Sequence, residues 1–459
     1  MRKFLPESLL HASPRKRLWL GAAGVAIFIG TIIIGYLMAP EEPHTQGQVG
    51  LDFIAFYTAG TFVREGHSQD LYDLHAVRKF QGDLAHQYGV DLGSAVGPWW
   101  NPPFYAWTFV PLSKLSYFAA LRTWAFINIL CAAISAALLC KIVARESAEW
   151  RTWLLIPVLM VLSTPFIHAL SHAQNTCTSL LLVTLIALAW RNGRSIAAGL
   201  IAGLLFYKPQ LAAALGAVLI FSMGWRVLIG LGITGAVLLM ASLALPGSLG
   251  NFVHQMPANL HFVQVDVPYL WERHVTYKAF WRLLVQGRGA GDPTIAVTML
   301  ATLSSAAVAA CLLWAGLRTR AFLRPNNSLE STNSNPITTT ARRDRLIAAT
   351  IAATPLLMPF YFDYDQLLLA VPATLFAADL LRRDHSLPLP WADRWLLRIW
   401  PAHFVWLMVN PDVALKTHLN LAVPLLTAVA ALLIARAGRL NETDAVAEPA
   451  LHGRLPVAA

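Results

Sequence analysis

The chain has 459 residues, of which 56% are hydrophobic and only 13% are charged. Soluble domains carry about 25% charged residues, so this composition excludes an ordinary soluble protein and favours a chain embedded in a membrane. The net charge of +10 would suggest nucleic acid in a soluble protein. Here Lys and Arg lie mostly in short loops between apolar runs, which indicates membrane topology, and we expect no nucleic-acid partner.

Apolar runs that are long enough to cross a hydrocarbon core recur along the chain. The first predicted helix covers about 18–38 and follows a basic N-terminal segment, so we expect it to run outward from the cytoplasm. Residues 39–118 are then predicted to form an outer-face region with juxtamembrane helices. Within it, the segment 103–117 is apolar but short and bounded by prolines, which is typical of a helix lying in the interface.

Two blocks of predicted membrane helices follow, at 119–246 and 293–435, and a second outer region at 247–292 separates them. Their individual spans are predicted at 119–141, 153–170, 177–190, 195–207, 210–224, 227–246, 293–316, 346–362, 366–381, 393–410 and 417–435. Nearly every Lys and Arg cluster then falls on the cytoplasmic side, including those of the loop 318–345 and the tail 436–459.

This arrangement of spans across the membrane predicts the fold class. The chain is expected to be an all-α integral membrane protein, one polytopic domain over residues 1–459. About twelve spans would place both termini in the cytoplasm. No internal repeat marks two transporter halves.

Several polar groups that are costly near lipid fall at the predicted outer ends of spans. Asp52 follows the first span, where a carboxylate either caps the helix that begins near Phe53 or carries chemistry. A turn between two later spans bears imidazole and amide groups, which either cap helix ends or bind a sugar or phosphate: His168, His172, Gln174 and Asn175.

Each set of cationic groups on the same predicted face has two interpretations. Lys208 is either a lysine that reaches the interface or a partner for a lipid phosphate. Arg273, Lys278 and Arg282 can project from one partly apolar helix, which would bind anionic headgroups or a polyprenyl phosphate.

Two carboxylates, Asp363 and Asp365, interrupt the apolar runs near the C-terminal part of the chain. They could bind a divalent cation, hydrogen-bond sugar hydroxyls or solvate a turn. A metal site needs more oxygen ligands than this segment supplies. We therefore expect no metal and no other cofactor, and a divalent cation is the alternative that these two carboxylates leave open.

An ordered set of short motifs resembles a known family. The motifs are Asp52-Phe53 with Phe56-Tyr57, Gly66, Leu71-Tyr72, Asn101-Pro102-Pro103-Phe104, Gln174-Asn175, Lys208-Pro209-Gln210 and Asp363-Tyr364-Asp365. Together they resemble glycosyltransferase family 87 of the GT-C superfamily, which includes polyprenol-phosphate-mannose-dependent α-mannosyltransferases. The likeness covers about residues 18–380. Ala173 stands where the family usually carries glycine.

The resemblance implies a GT-C-like multi-pass bundle that transfers a sugar with inversion. The donor would be a polyprenyl-phosphate sugar, mannose by default, and the acceptor a lipid or glycan at the outer face of the plasma membrane. Asp52 would be the catalytic base. The leaving phosphate would be stabilised by cations or donors at four positions: Lys208, His274, Arg273 and Lys278.

Two further groups of residues are expected around the reacting atoms. The sugar or the acceptor would be bound by Gln174, Asn175, Asp363, Asp365 and Tyr57. The lipid chain would be gripped at the membrane interface by Trp99, Trp100, Phe104 and Trp107.

Two alternatives stay open from the sequence. The transferred sugar could be a pentose such as arabinofuranose. A glycolipid transporter is the rival from another class, but it would need polar groups at the centre of the membrane and symmetric halves. The collection of polar groups at one face favours chemistry at that face.

Overall fold

A computed structural model describes residues 52–89, 92, 96–147, 149–266, 269–323, 336–383 and 387–439. The predicted first span at 18–38 lies outside the described residues, as does most of the C-terminal tail. The described part of the chain is helical and contains no strand; His274 and Phe362 form an isolated antiparallel bridge.

The α-helices of the described residues follow one another with short connections. In chain order they are α1 (Phe53–Arg64), α2 (Leu74–Gln87), α3 (Tyr117–Ala144), α4 (Trp150–Val161), α5 (Thr164–Ser171), α6 (Thr176–Arg191), α7 (Ser195–Leu204), α8 (Pro209–Met223), α9 (Arg226–Leu243), α10 (Ser248–His261), α11 (Tyr277–Gln286), α12 (Ile295–Leu323), α13 (Pro336–Leu357), α14 (Ala370–Leu381), α15 (Trp391–Trp406), α16 (Asn410–Thr417) and α17 (Ala422–Gly438). Each span predicted between 119 and 435 overlaps at least one of them.

Fewer helices meet the length and composition of a membrane span than the sequence predicts. Among the described residues four qualify, at Tyr117–Ala144, Arg226–Leu243, Ile295–Arg320 and Asp363–Leu381. A fifth forms if α4 and α5, which meet at a 49° bend, are counted as one span. The prediction of about twelve spans is therefore not confirmed, because helices such as α6 and α8 are shorter than the ~20 residues that cross a bilayer alone.

The segment 103–117 differs from the prediction of one interfacial helix. It forms two short 3₁₀ helices, Pro103–Phe109 and Leu112–Lys114. Proline at the start of each removes backbone donors, which disfavours a continuous α-helix. The Phe109 ring is buried and stacks on Phe56 of α1 at 4.7 Å between centroids. The segment is thereby packed against the core.

Close packing of α7 on α9 depends on two glycines. A Cβ atom built on Gly199 would lie 2.2 Å from the Val227 carbonyl oxygen, and one on Gly230 would lie 2.2 Å from the Ile196 carbonyl oxygen. Contacts this short exclude any side chain at either position, so both helices approach backbone to backbone. Small residues at helix interfaces serve this purpose in membrane bundles.

Charged residues at the C-terminal ends of α6 and α14 form a cluster that we call the basal ion pairs. Arg191 lies 3.0 Å from Asp344, whose other oxygen is 2.6 Å from Arg382. The remaining members are joined by further ion pairs: Glu146, Arg345, Asp379, Arg383, Asp393 and Arg436. The sequence attributed these arginines to topology alone, but here they also tie six helices or helix ends together.

Asp344→Asn tests the basal ion pairs. The Asp344 side chain is fully buried between Arg191 and Arg382, and its neutralisation removes the closest carboxylate of both guanidinium groups and leaves them only the longer contacts with Glu146. Breaking a buried pair in this way costs about 3–5 kcal/mol, so the apparent unfolding temperature in detergent is expected to fall. The exposed Glu149→Gln is the matched control and should not change it. Equal unfolding temperatures for the two variants would contradict the structural role.

Candidate active site

The Asp52 side chain faces a turn from a distant part of the chain. Its Oδ2 atom accepts a hydrogen bond of 2.7 Å from the Gln174 side-chain amide, and its backbone N–H donates to the His172 carbonyl at 3.3 Å. Asp52 precedes α1, but its side chain makes no capping hydrogen bond to that helix. The interpretation of Asp52 as a helix cap is therefore not confirmed. Its carboxylate is held instead by the turn after α5.

That turn has a strained geometry at Ala173. Its φ of 51° lies in the left-handed region, which favours glycine because a side chain there meets the backbone. The indole N–H of Trp124 donates to the Ala173 carbonyl at 2.7 Å and fixes the turn from α3. The glycine that the resembled family usually carries at this position thus has a structural reason. The conformation at Ala173 brings Gln174 to Asp52.

Arg273 and Asp363 form the central ion pair of the site. The Arg273 Nε and Nη2 atoms donate to the two carboxylate oxygens of Asp363 at 3.1 and 2.9 Å, a bidentate arrangement. His168 Nδ1 lies 3.3 Å from the same carboxylate. The pair joins the second predicted outer region to the turn that precedes α14.

His172 links this ion pair to Asp52. Arg273 Nη1 lies 2.7 Å from His172 Nε2, and His172 Nδ1 lies 3.0 Å from the His168 carbonyl oxygen. Arginine can only donate, so Nε2 must accept and Nδ1 must carry the proton that is donated to His168. These contacts define a neutral imidazole with one tautomer.

The electrostatics of Asp52 and His172 are shifted by burial. Burial raises the pKa of the Asp52 carboxyl, although the Gln174 hydrogen bond, His172 and Arg273 oppose the shift. Burial and the adjacent Arg273 lower the pKa of His172. Asp52 is thus a stronger base than a solvated aspartate. It lies near the positive charge of Arg273 and accepts a hydrogen bond from Gln174.

Lys208 and Asp365 form a second ion pair close to the first. The Lys208 ammonium group donates to Asp365 Oδ1 at 2.6 Å, and the Thr176 hydroxyl donates to the same oxygen at 2.8 Å. The two predicted carboxylates therefore face different cations, Asp363 with Arg273 and Asp365 with Lys208. The charge that Lys208 can offer to a phosphate is reduced by its partner.

His274 does not supply a cation in this structure. Its side chain is fully buried, its Nε2 atom lies 3.0 Å from the Tyr269 hydroxyl, and its ring packs on Phe362 at 4.0 Å. Burial lowers the pKa of His274 to about 3, so the ring is neutral at physiological pH. Its predicted role in binding phosphate is limited to donating a hydrogen bond.

The three basic residues predicted to project from one helix of the second outer region do not share one. Lys278 and Arg282 lie on α11, whereas Arg273 lies on the preceding 3₁₀ turn, Trp271–Arg273. Thr276 caps α11 by accepting from the Ala279 N–H at 3.2 Å, which ends the turn and separates Arg273 from the helix. Arg273 is thereby free to face Asp363.

Other predicted residues lie farther from these contacts. Asn175 is buried, and the Tyr57 hydroxyl donates to the Leu115 carbonyl at 2.9 Å, so neither joins the network around Asp52. Trp99 is also buried and packs on Tyr105, whereas Trp107 is 42% exposed. Two others are half-buried, Trp100 and Phe104. Of the four aromatic residues predicted at the lipid interface, Trp107 is the most accessible.

Two contacts of the site were not identified from the sequence. Tyr364 stacks on Phe362, and the Arg273 guanidinium lies 5.8 Å from the centre of the Tyr364 ring. His172 stands between Arg273 and the backbone of Asp52. The sequence marked His168 and His172 only as a polar turn, and nothing in the spacing could reveal their partner ninety or more residues away.

An apolar groove begins beside the site. It encloses about 950 Å³ between α8 and α12, from Lys278 and Gln210 at one end to Phe221 and Gly316 at the other. Lys278 donates to Gln264 at 3.3 Å and lies 4.9 Å from the Phe360 ring, and it contacts no carboxylate among the described residues. Burial and Arg282 lower its pKa from the ordinary value. Lys278 thus has no anionic partner in the described part of the chain.

Comparison with known proteins gives one match. The family described as glycosyltransferase family 87 matches residues 99–334, which are more than half of the chain. No curated protein and no solved structure matches this chain. The matched range includes Gln174, Lys208 and Arg273, while Asp52 and Asp363 lie outside it.

Proposed function

Because the chain belongs to glycosyltransferase family 87, we propose that it moves a sugar from a polyprenyl-phosphate donor to a lipid or glycan acceptor. Mannose is the first donor sugar to test, which would make the enzyme a hexosyltransferase. The reaction is assigned to the outer face of the plasma membrane, with both termini in the cytoplasm. The observation that carries the proposal is the Asp52 carboxylate, held by Gln174 beside the Arg273–Asp363 pair.

Asp52 is the proposed general base. An acceptor hydroxyl attacks the anomeric carbon from the face opposite the phosphate, so the configuration inverts. The bond between that carbon and the phosphate oxygen breaks, and polyprenyl phosphate leaves with the electron pair. The hydroxyl proton passes to Asp52, whose raised pKa makes its carboxylate a better proton acceptor than that of a solvated aspartate.

The leaving phosphate needs positive charge that is already in place. Arg273 lies near Asp52, but Asp363 shares its charge through two hydrogen bonds. Lys278 has no such partner and stands at the end of the apolar groove. These contacts favour Lys278 as the first contact of the phosphate, with Arg273 next to the reacting centre.

The groove supports a donor with a long hydrocarbon chain. Along α12 its lining runs from Val297 to Gly316, a helical rise of about 30 Å, which matches the thickness of a hydrocarbon core. Its walls are mainly apolar side chains. Only 11% of the most apolar stretch of α12 is buried inside the helical bundle. A polyprenyl chain in this groove would bring its phosphate to Lys278.

The position of charge along the bundle supports the proposed topology. Helix α6 joins the turn at Gln174 to Arg191, and at 16 residues it is about 24 Å long. The Asp52 site and the basal ion pairs therefore lie at opposite ends of the helices. Clustered arginines are typical of the cytoplasmic side, which leaves Asp52 on the outer side.

Asp52→Asn tests the base. Wild-type protein is expected to transfer mannose from synthetic polyprenyl-phosphate mannose to extracted envelope lipids. The variant should lose about 10²–10⁴-fold in kcat and still bind the donor, because only the proton acceptor is removed. The measurement is product formation by purified proteins of equal unfolding temperature.

Asp83→Asn, on the exposed face of α2, is the matched control and should retain full activity. Near-normal transfer by Asp52→Asn would contradict the base assignment. A well-folded wild type that uses only an arabinofuranose donor would change the sugar and keep the mechanism. Movement of an intact glycolipid without bond cleavage would favour the transporter alternative.

Ala217→Trp tests the groove as the site of the donor chain. Its side chain would fill part of the groove lined by α8, which should raise the KM for a long-chain donor about tenfold. A donor shortened to two isoprene units should show little change, since it does not reach that depth. Val237→Trp adds the same bulk at a position that is 62% exposed on α9 and should change neither KM. Equal effects on long and short donors would contradict the assignment.

A further inference from the structure

Two arginines at the basal end of the bundle differ from their neighbours. The arginines of the basal ion pairs each face a carboxylate. Arg320, near the end of α12, instead donates to the Phe221 carbonyl at 3.3 Å, and Arg343, on α13, donates to the Arg191 carbonyl at 3.2 Å. Both therefore cap the last turns of other helices without meeting an anion among the described residues.

A polar cavity of about 180 Å³ lies at these two arginines. Hydroxyl-bearing residues from three helices, Ser195, Ser222 and Thr319, complete its polar lining, and no described residue that lines it is acidic. The cavity is far larger than one water requires. It is thus a space at the basal end that carries two positive charges and no negative one.

The guanidinium groups retain donors for a ligand. Each has five N–H donors in a planar fork, and the contacts described above use one apiece. Planar forks match the oxygens of phosphate, which can accept from both arginines at once. A phosphate group in this cavity would supply the missing negative charge and several acceptors.

The surface beside the cavity identifies the source of that phosphate. On α12, Leu313 and Leu317 precede Arg320 within two turns on the same side of the helix, and each is 50% or more exposed. An apolar face that leads to a basic cavity suits a molecule with hydrocarbon chains and an anionic head. In the proposed topology this end meets the cytoplasmic leaflet, where anionic lipids concentrate.

We propose that the cavity formed by Arg320 and Arg343 binds the phosphate of an anionic phospholipid, whose acyl chains lie along α12. The phosphate site is separate from the Asp52 site and takes no part in the transfer reaction, whereas Leu313 lies both on the acyl-chain surface and in the proposed donor groove. The phosphate site would hold the ends of α6, α8, α12 and α13 together through a lipid.

The test measures lipid retention by the full chain. Native mass spectrometry of the purified protein is expected to show phosphatidylglycerol bound in preference to phosphatidylcholine. Each arginine near a membrane surface contributes about fivefold to anionic lipid binding, so Arg320→Gln/Arg343→Gln should weaken it about 30-fold. Arg145→Gln/Arg226→Gln removes the same charge from exposed basal positions and should have little effect.

Ser222→Leu provides a variant that keeps both arginines and fills the cavity, and it should also weaken phosphatidylglycerol binding. Equal losses in the two double variants would reduce the effect to surface charge and overturn the proposal. Stabilisation by inorganic phosphate, with no further gain from phosphatidylglycerol, would assign the cavity to a soluble anion and overturn the lipid assignment.

Discussion

The ion pair between Arg273 and Asp363 joins segments that are 90 residues apart in a chain with few charges. A charge near lipid is costly unless it has a partner, so each member fixes the other. The Nε and Nη2 atoms of Arg273 donate to Asp363, so its third nitrogen, Nη1, is directed to His172. That contact sets the tautomer of His172 on the turn that carries Gln174. The position of Asp52 thus depends on a pair that it does not touch.

The same rule of paired charges divides the molecule into two ends with different tasks. At the basal end, buried carboxylates neutralise the arginines of the basal ion pairs and tie helix ends together. At the Asp52 end, the compensation is incomplete. Lys278 has no carboxylate in contact among the described residues, and Asp52 is held by a neutral amide. In the proposed reaction, the leaving phosphate needs positive charge that no protein carboxylate already neutralises.

The sequence predicted an all-helical chain, because long apolar runs bounded by arginine leave little choice of structure. The predicted number of about twelve spans is not confirmed, since several of the described helices are too short to cross a bilayer alone. It also selected Asp52, Gln174, Arg273 and Asp363 for one face, since topology brings span ends together. It could not assign partners across the chain, so Lys208 seemed free of Asp365. It also could not foresee the burial that makes His274 neutral, because burial depends on how distant segments pack.

The pH dependence of kcat/KM for sugar transfer tests the central claim most directly, with wild type, Gln174→Leu and the exposed control Gln87→Leu compared. Activity should fall towards acid as Asp52 is protonated, and the raised pKa places this limb above 3.8. The Gln174 hydrogen bond lowers the pKa of Asp52, so its loss should move the limb to higher pH, and only in Gln174→Leu. Superimposable acid limbs in all three proteins would contradict Asp52 as the base.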